Sequence, residues 1–230
     1  MHTSRSSQYG QPFLDFDETI TAANAAKQEV GDYLETLWGC VGQATTVVEE
    51  MLSHCELTKG ISVLEIGPGS GRFLKHTLDR LESCTYEIYE TAPAWERWLY
   101  STFKSVIARA ADGISLSQTE SGSCHLVHAH GVFVYVPLLV SFSYFREMMR
   151  VCRPGGYVVF DMFPEDTFDS EEINKWLQTP ERFPVVLPRG TVEAWFSSGA
   201  FYLVHQFNRR VGPGQAQYLI FKKKASYDTG

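Results

Sequence analysis

The residue types best suited to hold a small ligand fall in one short segment, Val63-Leu64-Glu65-Ile66-Gly67-Pro68-Gly69-Ser70-Gly71-Arg72-Phe73. The run Ile61 to Ile66 is nearly continuous in apolar residues and predicts a short buried strand. Three glycines at alternate positions follow it, and then a helix begins. Glycine lets the backbone approach a ligand closely and take conformations other residues resist. A helix N-terminus adds free N–H groups and positive potential. A ligand carrying a carboxylate, a phosphate or a ribose is therefore expected above this turn. The lysine of a G-x-x-x-x-G-K-[ST] phosphate loop is missing. The third glycine comes one residue too early for the dinucleotide pattern G-x-G-x-x-G. Glu90 closes a second predicted strand about twenty residues past the glycines, where an acid can accept both hydroxyl protons of a ribose. Asp112-Gly113 follows a short third strand and forms either a ligand-facing loop or an ordinary Asp-Gly turn.

These residues must be positioned by alternating elements. Residues 16–38 read as a helix, with Val30, Tyr33, Leu34, Leu37 and Trp38 on one face. A second helix is expected over about 43–54 and a third with Phe73, Leu74, Thr77, Leu78 and Leu81 inward. Strands are expected at 85–89, 106–109, 125–130 and 157–161, with a helix at 138–151 and a turn at 153–156. Strands alternating with helices imply a doubly wound α/β fold. The end of the chain differs: Phe201 to Phe207 and Gln217 to Lys223 read as strands, with turn residues over 208–214, and predict a terminal antiparallel hairpin. The full expectation is a mostly parallel seven-stranded sheet with a helical N-terminal extension.

The pattern E-x-G-x-G-x-G at Glu65, Gly67, Gly69 and Gly71 resembles the first motif of the class I S-adenosylmethionine (SAM)-dependent methyltransferases. The resemblance extends through Glu90 and through the Arg153-Pro154-Gly155-Gly156 turn, over about Leu52 to Asp161. It implies SAM as cofactor, held by Glu65, Gly67, Pro68, Gly69, Gly71, Glu90, Asp112, Gly113 and His130. By this resemblance Glu65 acts on the methionine moiety, Glu90 on the ribose, and the Asp112 loop faces the adenine. His125 stands where the family often has Asp. His130 leaves the fourth strand beside the expected methyl group and, with Tyr135, is the candidate for chemistry at the acceptor. His128, Glu165 and His205 are further candidates for a general base. His128 is expected to point away, and His205 to be a core histidine. Division at residue 42 gives a helical extension or lid, then a SAM-binding domain over 43–230 with an insertion at about 162–195. Phe13, Tyr33 and Trp38, Val132 to Tyr135, and Phe163, Trp176, Phe183 and Trp195 are candidate walls of an acceptor pocket.

The remaining sequence narrows the partners. A net charge of -7 over 230 residues disfavours nucleic acid. The five cysteines are scattered with no C-x-x-C pair, which argues against a zinc or disulfide framework and for a reducing, cytoplasmic setting. No apolar run has the length of a membrane span. Methyl transfer to an oxygen or nitrogen of a small molecule is the expected activity. A protein methyltransferase, a non-catalytic scaffold of the same fold and an NAD(P)-dependent oxidoreductase are the alternatives.

Overall fold

A computed structural model describes residues 14–179 and 184–225; Phe13 and Phe183, both expected to line a pocket, lie outside them. The helix expected over 16–38 is two helices, α1 (Phe16–Ala26) and α2 (Val30–Leu37). Asp15 caps α1, its carboxylate accepting the Glu18 N–H at 2.9 Å. Lys27 ends it in the left-handed region at φ 55°, where its N–H bonds back to Ala23 and Asn24. Amphipathic spacing alone does not reveal such a stop. Helix α3 (Gln43–Ser53) begins at Gly42, which has no side chain to cap it. Glu35 of α2 does this instead, accepting the N–H of Gly42 at 2.6 Å and of Ala44 at 2.7 Å.

Beyond α3 the elements alternate as β1 (Ser62–Ile66), α4 (Arg72–Arg80), β2 (Thr85–Tyr89), α5 (Pro93–Thr102), β3 (Val106–Arg109), β4 (Cys124–Ala129), α6 (Leu138–Val151) and β5 (Cys152–Pro164). A short 3-10 turn, α7 (Ser170–Leu177), β6 (Val186–Leu187) and α8 (Arg189–Ser198) make up the insertion. β7 (Phe201–Val211) and β8 (Gly214–Lys223) close the fold. The main path of the sheet has seven strands in the order β3-β2-β1-β4-β5-β8-β7, and β6 adds an eighth by pairing with β5. β8 runs antiparallel to β5 and to β7. The strand order reverses between β1 and β4, and in such sheets ligands bind in the crevice at that switch point. The glycine turn leaves β1 there.

Two local expectations are corrected. Arg153 to Gly156 is not a turn before the strand but an irregularity inside β5. Cys152 already pairs with Cys124, and pairing resumes at Tyr157 with Leu126. Pro154 has no N–H to offer a ladder and Gly155 sits at φ 76°, so the chain bows out while both ends stay bonded. The hairpin turn is also tighter than residues 208–214. Arg209 still pairs with Ala216 and Val211 with Gly214, leaving Gly212 and Pro213 at the tip.

Both faces of the sheet are covered. Leu64, Val127, Phe160 and Leu219 pack with Phe145 of α6 and Phe196 of α8. Val63, Ile88, Leu126, Val159 and Ile220 pack with α3 and α4 through Val48, Met51 and Leu74. Strands buried on both faces explain why they read as continuous apolar runs in the sequence. Among the described residues no helix is long and apolar enough to cross a membrane.

Candidate active site

The three glycines of the turn have positive φ: 62° at Gly67, 52° at Gly69 and 70° at Gly71. Their surroundings assign them different tasks. A Cβ on Gly67 would lie 2.9 Å from Val132, and one on Gly71 would lie 2.8 Å from Phe103 and 2.9 Å from Leu99. Those two glycines permit packing of the protein on itself. A Cβ on Gly69 would meet nothing within 4 Å, so this glycine faces open space. The Gly69 N–H donates to Glu90 Oε2 at 2.9 Å, and Glu90 Oε1 accepts from Ala92 N at 2.9 Å. Gly67 N bonds to the carbonyl of Tyr89 at 2.8 Å, which ties the turn to the end of β2. The result is a concave strip of backbone beside a buried carboxylate. Burial pushes the Glu90 carboxyl above its ordinary range, and the backbone N–H groups of Ala92, Gly69 and Thr91 oppose that.

Beneath the turn lies a chain of buried polar side chains. Tyr86 donates its hydroxyl to Glu65 Oε2 at 2.7 Å and lies 2.9 Å from His128 Nε2. His128 Nδ1 is 2.9 Å from His130 Nε2, and His130 Nδ1 is 2.9 Å from the Tyr218 hydroxyl. His128 therefore faces the same way as His130, contrary to expectation, because residues two apart on a strand share a face. If Tyr86 donates to Glu65, every later bond points the same way: His128 to Tyr86, His130 to His128, Tyr218 to His130. Both histidines are then neutral. Burial lowers His128 to about 3. Burial, with His128, Arg209 and Arg72 nearby, takes His130 well below its ordinary value. His130 also stacks on Phe73 with ring centroids 4.2 Å apart. Both of its nitrogens are engaged, so in this arrangement it is a fixed hydrogen-bonding group. Glu65, 1% exposed, is pushed up to about 8 by burial; the Tyr86 bond opposes this and the Glu90 charge adds to it.

A second buried cluster braces the end of β4. Gly131 N donates to Asp161 Oδ1 at 2.7 Å, and Arg209 donates from Nε and Nη2 to Asp161 Oδ2 at 3.0 and 2.7 Å. Arg209 Nη1 reaches Gln43 of α3 at 3.2 Å. Nearer the N-terminal helices, Arg72 lies over the rings of Trp38 and Phe73 and pairs with Glu35 at 3.4 Å. Tyr135 is half-buried. Its hydroxyl is pushed up to about 12 by burial, then by the charges of Glu90 and Asp161.

A Cβ on Gly113 would lie 3.9 Å from Thr91, so the Asp112 loop flanks the end of β2 beside Glu90. Asp112 is exposed, and its carboxylate accepts the N–H of Ile114 and Ser115 and the Ser115 hydroxyl, so its charge serves its own loop; Gly113 follows at φ 82°. Glu165 accepts the N–H of Arg189 at 2.6 Å at the start of α8. His205 is half-exposed beside Glu50, a correction to its reading as a core histidine. Trp176 is buried against Phe163, while Trp195 stays 38% exposed and meets Phe142 edge-on. Sequence reasoning missed Tyr86, Asp161, Arg209 and Tyr218. Only Asp161 left a signal, a charge closing the apolar run Tyr157 to Phe160.

With this geometry in view, comparisons with known proteins identify the class. The methyltransferase-domain family matches residues 42–206, and the chain belongs to that family. It is a SAM-dependent methyltransferase, and SAM is its cofactor. No curated protein matches it by sequence. Among solved structures, an O-methyltransferase family protein from Burkholderia thailandensis is 14% identical with a TM-score of 0.63, over 94% of this chain and 65% of that one. A SAM-dependent methyltransferase from Methanosarcina mazei is 14% identical with a TM-score of 0.60, over 78% and 98%. The geranyl diphosphate C-methyltransferase of Streptomyces coelicolor A3(2), solved with Mg2+, geranyl diphosphate and S-adenosyl-L-homocysteine, is 11% identical with a TM-score of 0.59, over 78% and 77%. These likenesses establish the fold. The residues present fit the cofactor: the open side of Gly69 beside the buried Glu90 carboxylate is a cradle that a Cβ would obstruct.

Proposed function

We propose that the chain methylates an oxygen or nitrogen of a small molecule. The cradle formed by the open side of Gly69 and the buried Glu90 carboxylate at the β1/β4 switch point carries the cofactor half of this reading. When bound, SAM supplies a sulfonium methyl and a neutral leaving group, which suits in-line displacement. The chain's residues then have mainly to orient and dry the reactants. Glu90 is placed to hold the ribose hydroxyls. Glu65, its carboxyl pushed up by burial, offers a hydrogen-bonding group rather than a charge toward the amino-acid end, and His130 with Gly131 forms the floor at the methyl.

The acceptor side is assigned to the ends of β4 and β5 and the insertion. Val134, Phe163 and Trp176 make an apolar wall there with Ala216 of β8. Among the described residues, Gln217 Oε1 is the buried side-chain oxygen without a hydrogen-bond partner. It lies on β8 opposite Met162, next to Tyr218. An unmet buried acceptor costs about 1–3 kcal/mol, and an O–H or N–H on a small acceptor would satisfy it. Helices α1 and α2 are read as a lid, with Trp95 of α5 donating to the Leu14 carbonyl at 3.1 Å. The net charge of -7 favours a small acceptor over nucleic acid.

Calorimetry with S-adenosylhomocysteine, with NADH as control, tests the cradle. Wild type binds the first and not the second, and Glu90→Ala weakens binding about 5- to 150-fold, the loss of one or two charge-assisted hydrogen bonds. Unchanged affinity in Glu90→Ala removes Glu90 from the site. A panel of small hydroxyl and amine acceptors, read by S-adenosylhomocysteine release, then tests the acceptor class. Turnover only on protein substrates overturns it.

A further inference from the structure

Away from the cradle, on the outer part of the fold, three ligating side chains from two elements converge. Glu50, in the last turn of α3, and His54, the residue that caps its C-terminus, are four positions apart and share a face. His205 reaches them from β7, the strand at the edge of the sheet. Glu50 Oε1 lies 2.8 Å from His205 Nε2 and 3.5 Å from His54 Nε2. One ligand atom from each of the three lies within 4.8 Å of the others. We propose that Glu50, His54 and His205 bind one divalent transition-metal ion, of the class of Zn2+, Ni2+ or Cu2+, as a clamp between α3 and β7.

The separations carry the argument. Ions of this class hold imidazole nitrogen and carboxylate oxygen at about 2.0–2.2 Å, so neighbouring ligand atoms in a tetrahedral shell lie about 3.3 Å apart. The two measured separations bracket that value. Two imidazoles and a carboxylate are the donor set these ions take. The His54 and His205 rings are stacked, with centroids 3.6 Å apart and planes 14° apart. Bringing both nitrogen lone pairs onto one ion needs a tilt of one ring, and the exposed side of His54 leaves room for it. The three side chains are 29–41% exposed, so water completes the shell. A second group, Glu65, His128 and His130, has the same composition. There the histidines bond directly to each other, and Tyr86 fills the gap to Glu65.

Such an ion would be structural. The opposite end of α3 holds β7 through Gln43, which donates to the Arg210 carbonyl at 3.0 Å and accepts from Arg209. The helix spans about 16 Å between the two ends, so the clamp and the Gln43 contact hold β7 at two points, its middle at His205 and its far end at Arg209 and Arg210. That strand carries Arg209, the partner of Asp161.

The test is titration of tag-free, chelator-treated protein with Zn2+, and separately Ni2+, by calorimetry, together with thermal unfolding with and without the metal. One equivalent should bind in the micromolar range and raise the unfolding temperature. His54→Ala and His205→Ala should each weaken binding at least tenfold and remove the thermal shift, while the metal-free variants unfold cooperatively. Binding that survives in the His54→Ala/His205→Ala double variant places the ion at another site and overturns the proposal. So does the absence of saturable binding below about 100 µM.

Discussion

At the scale of single residues, the most informative feature is a carboxylic acid whose surroundings disfavour its charge. Glu65 is buried, and its folded-state pKa is pushed from 4.5 to about 8. In the unfolded chain it titrates near its ordinary value, about 4.3. Between those values the native state binds more protons than the unfolded state, so this residue makes stability fall as pH rises. His128 acts in the other direction. Its folded value is lowered to about 3, so its contribution is present above about 6.5 and is lost as pH falls toward 3. Both effects are present in wild type, and only the histidine effect remains in Glu65→Gln, whose amide oxygen still accepts from Tyr86. The variant should therefore be more stable than wild type, by a margin that grows from about pH 5 to about pH 8 and then levels. Urea unfolding across that range measures it. A margin that does not change with pH would mean that the native state holds Glu65 ionised throughout.

At the scale of elements, the strand–glycine turn–helix unit was legible because its signals are local. The apolar run, the alternate glycines and the helical spacing of Phe73, Leu74 and Thr77 all lie within about twenty residues. What the sequence could not show was that the three glycines differ. Gly71 is packed against Leu99 of α5 and Phe103 just past its end, and Gly69 is open. Those neighbours are about thirty residues away and become visible only when the helices pack. The difference predicts two phenotypes. Gly69→Ala should cost about 1 kcal/mol of stability, the penalty of a Cβ at positive φ, and should sharply weaken S-adenosylhomocysteine binding. Gly71→Ala should cost about 2–4 kcal/mol, because overpacking adds to the same penalty. Denaturant unfolding paired with calorimetry separates the two, and equal stability losses would put the packing argument aside. The missed break at Lys27 and the bowed Arg153–Gly156 segment have the same origin: hydrophobic periodicity reports faces, while stops and bulges depend on backbone conformation and long-range pairing.

At the scale of the molecule, the sheet order brings together residues that no local pattern links. Arg209 reads as turn material from sequence and Asp161 as a strand end, 48 positions apart. They meet only because β8 folds back antiparallel on β5 and carries β7 with it. The pair is nearly sealed, at 5% and 0% side-chain exposure, and its remaining carboxylate oxygen holds Gly131 at the end of β4. An ion pair this deep recovers little beyond its own desolvation, but losing one partner leaves a buried charge uncompensated. Asp161→Asn should therefore destabilise the protein by about 3–5 kcal/mol. The double variant Asp161→Leu/Arg209→Met, apolar and of similar volume, should regain much of that loss. Neither partner touches the Gly69–Glu90 cradle, so affinity for S-adenosylhomocysteine should change less than turnover, which depends on the Gly131 end of β4 where the acceptor is assigned. Urea unfolding of the single and double variants, with binding and turnover measured on the folded fraction, decides the matter. A double variant as unstable as the single would show that the pair stabilises the fold by itself. A parallel loss of binding and turnover would show that it supports the whole crevice.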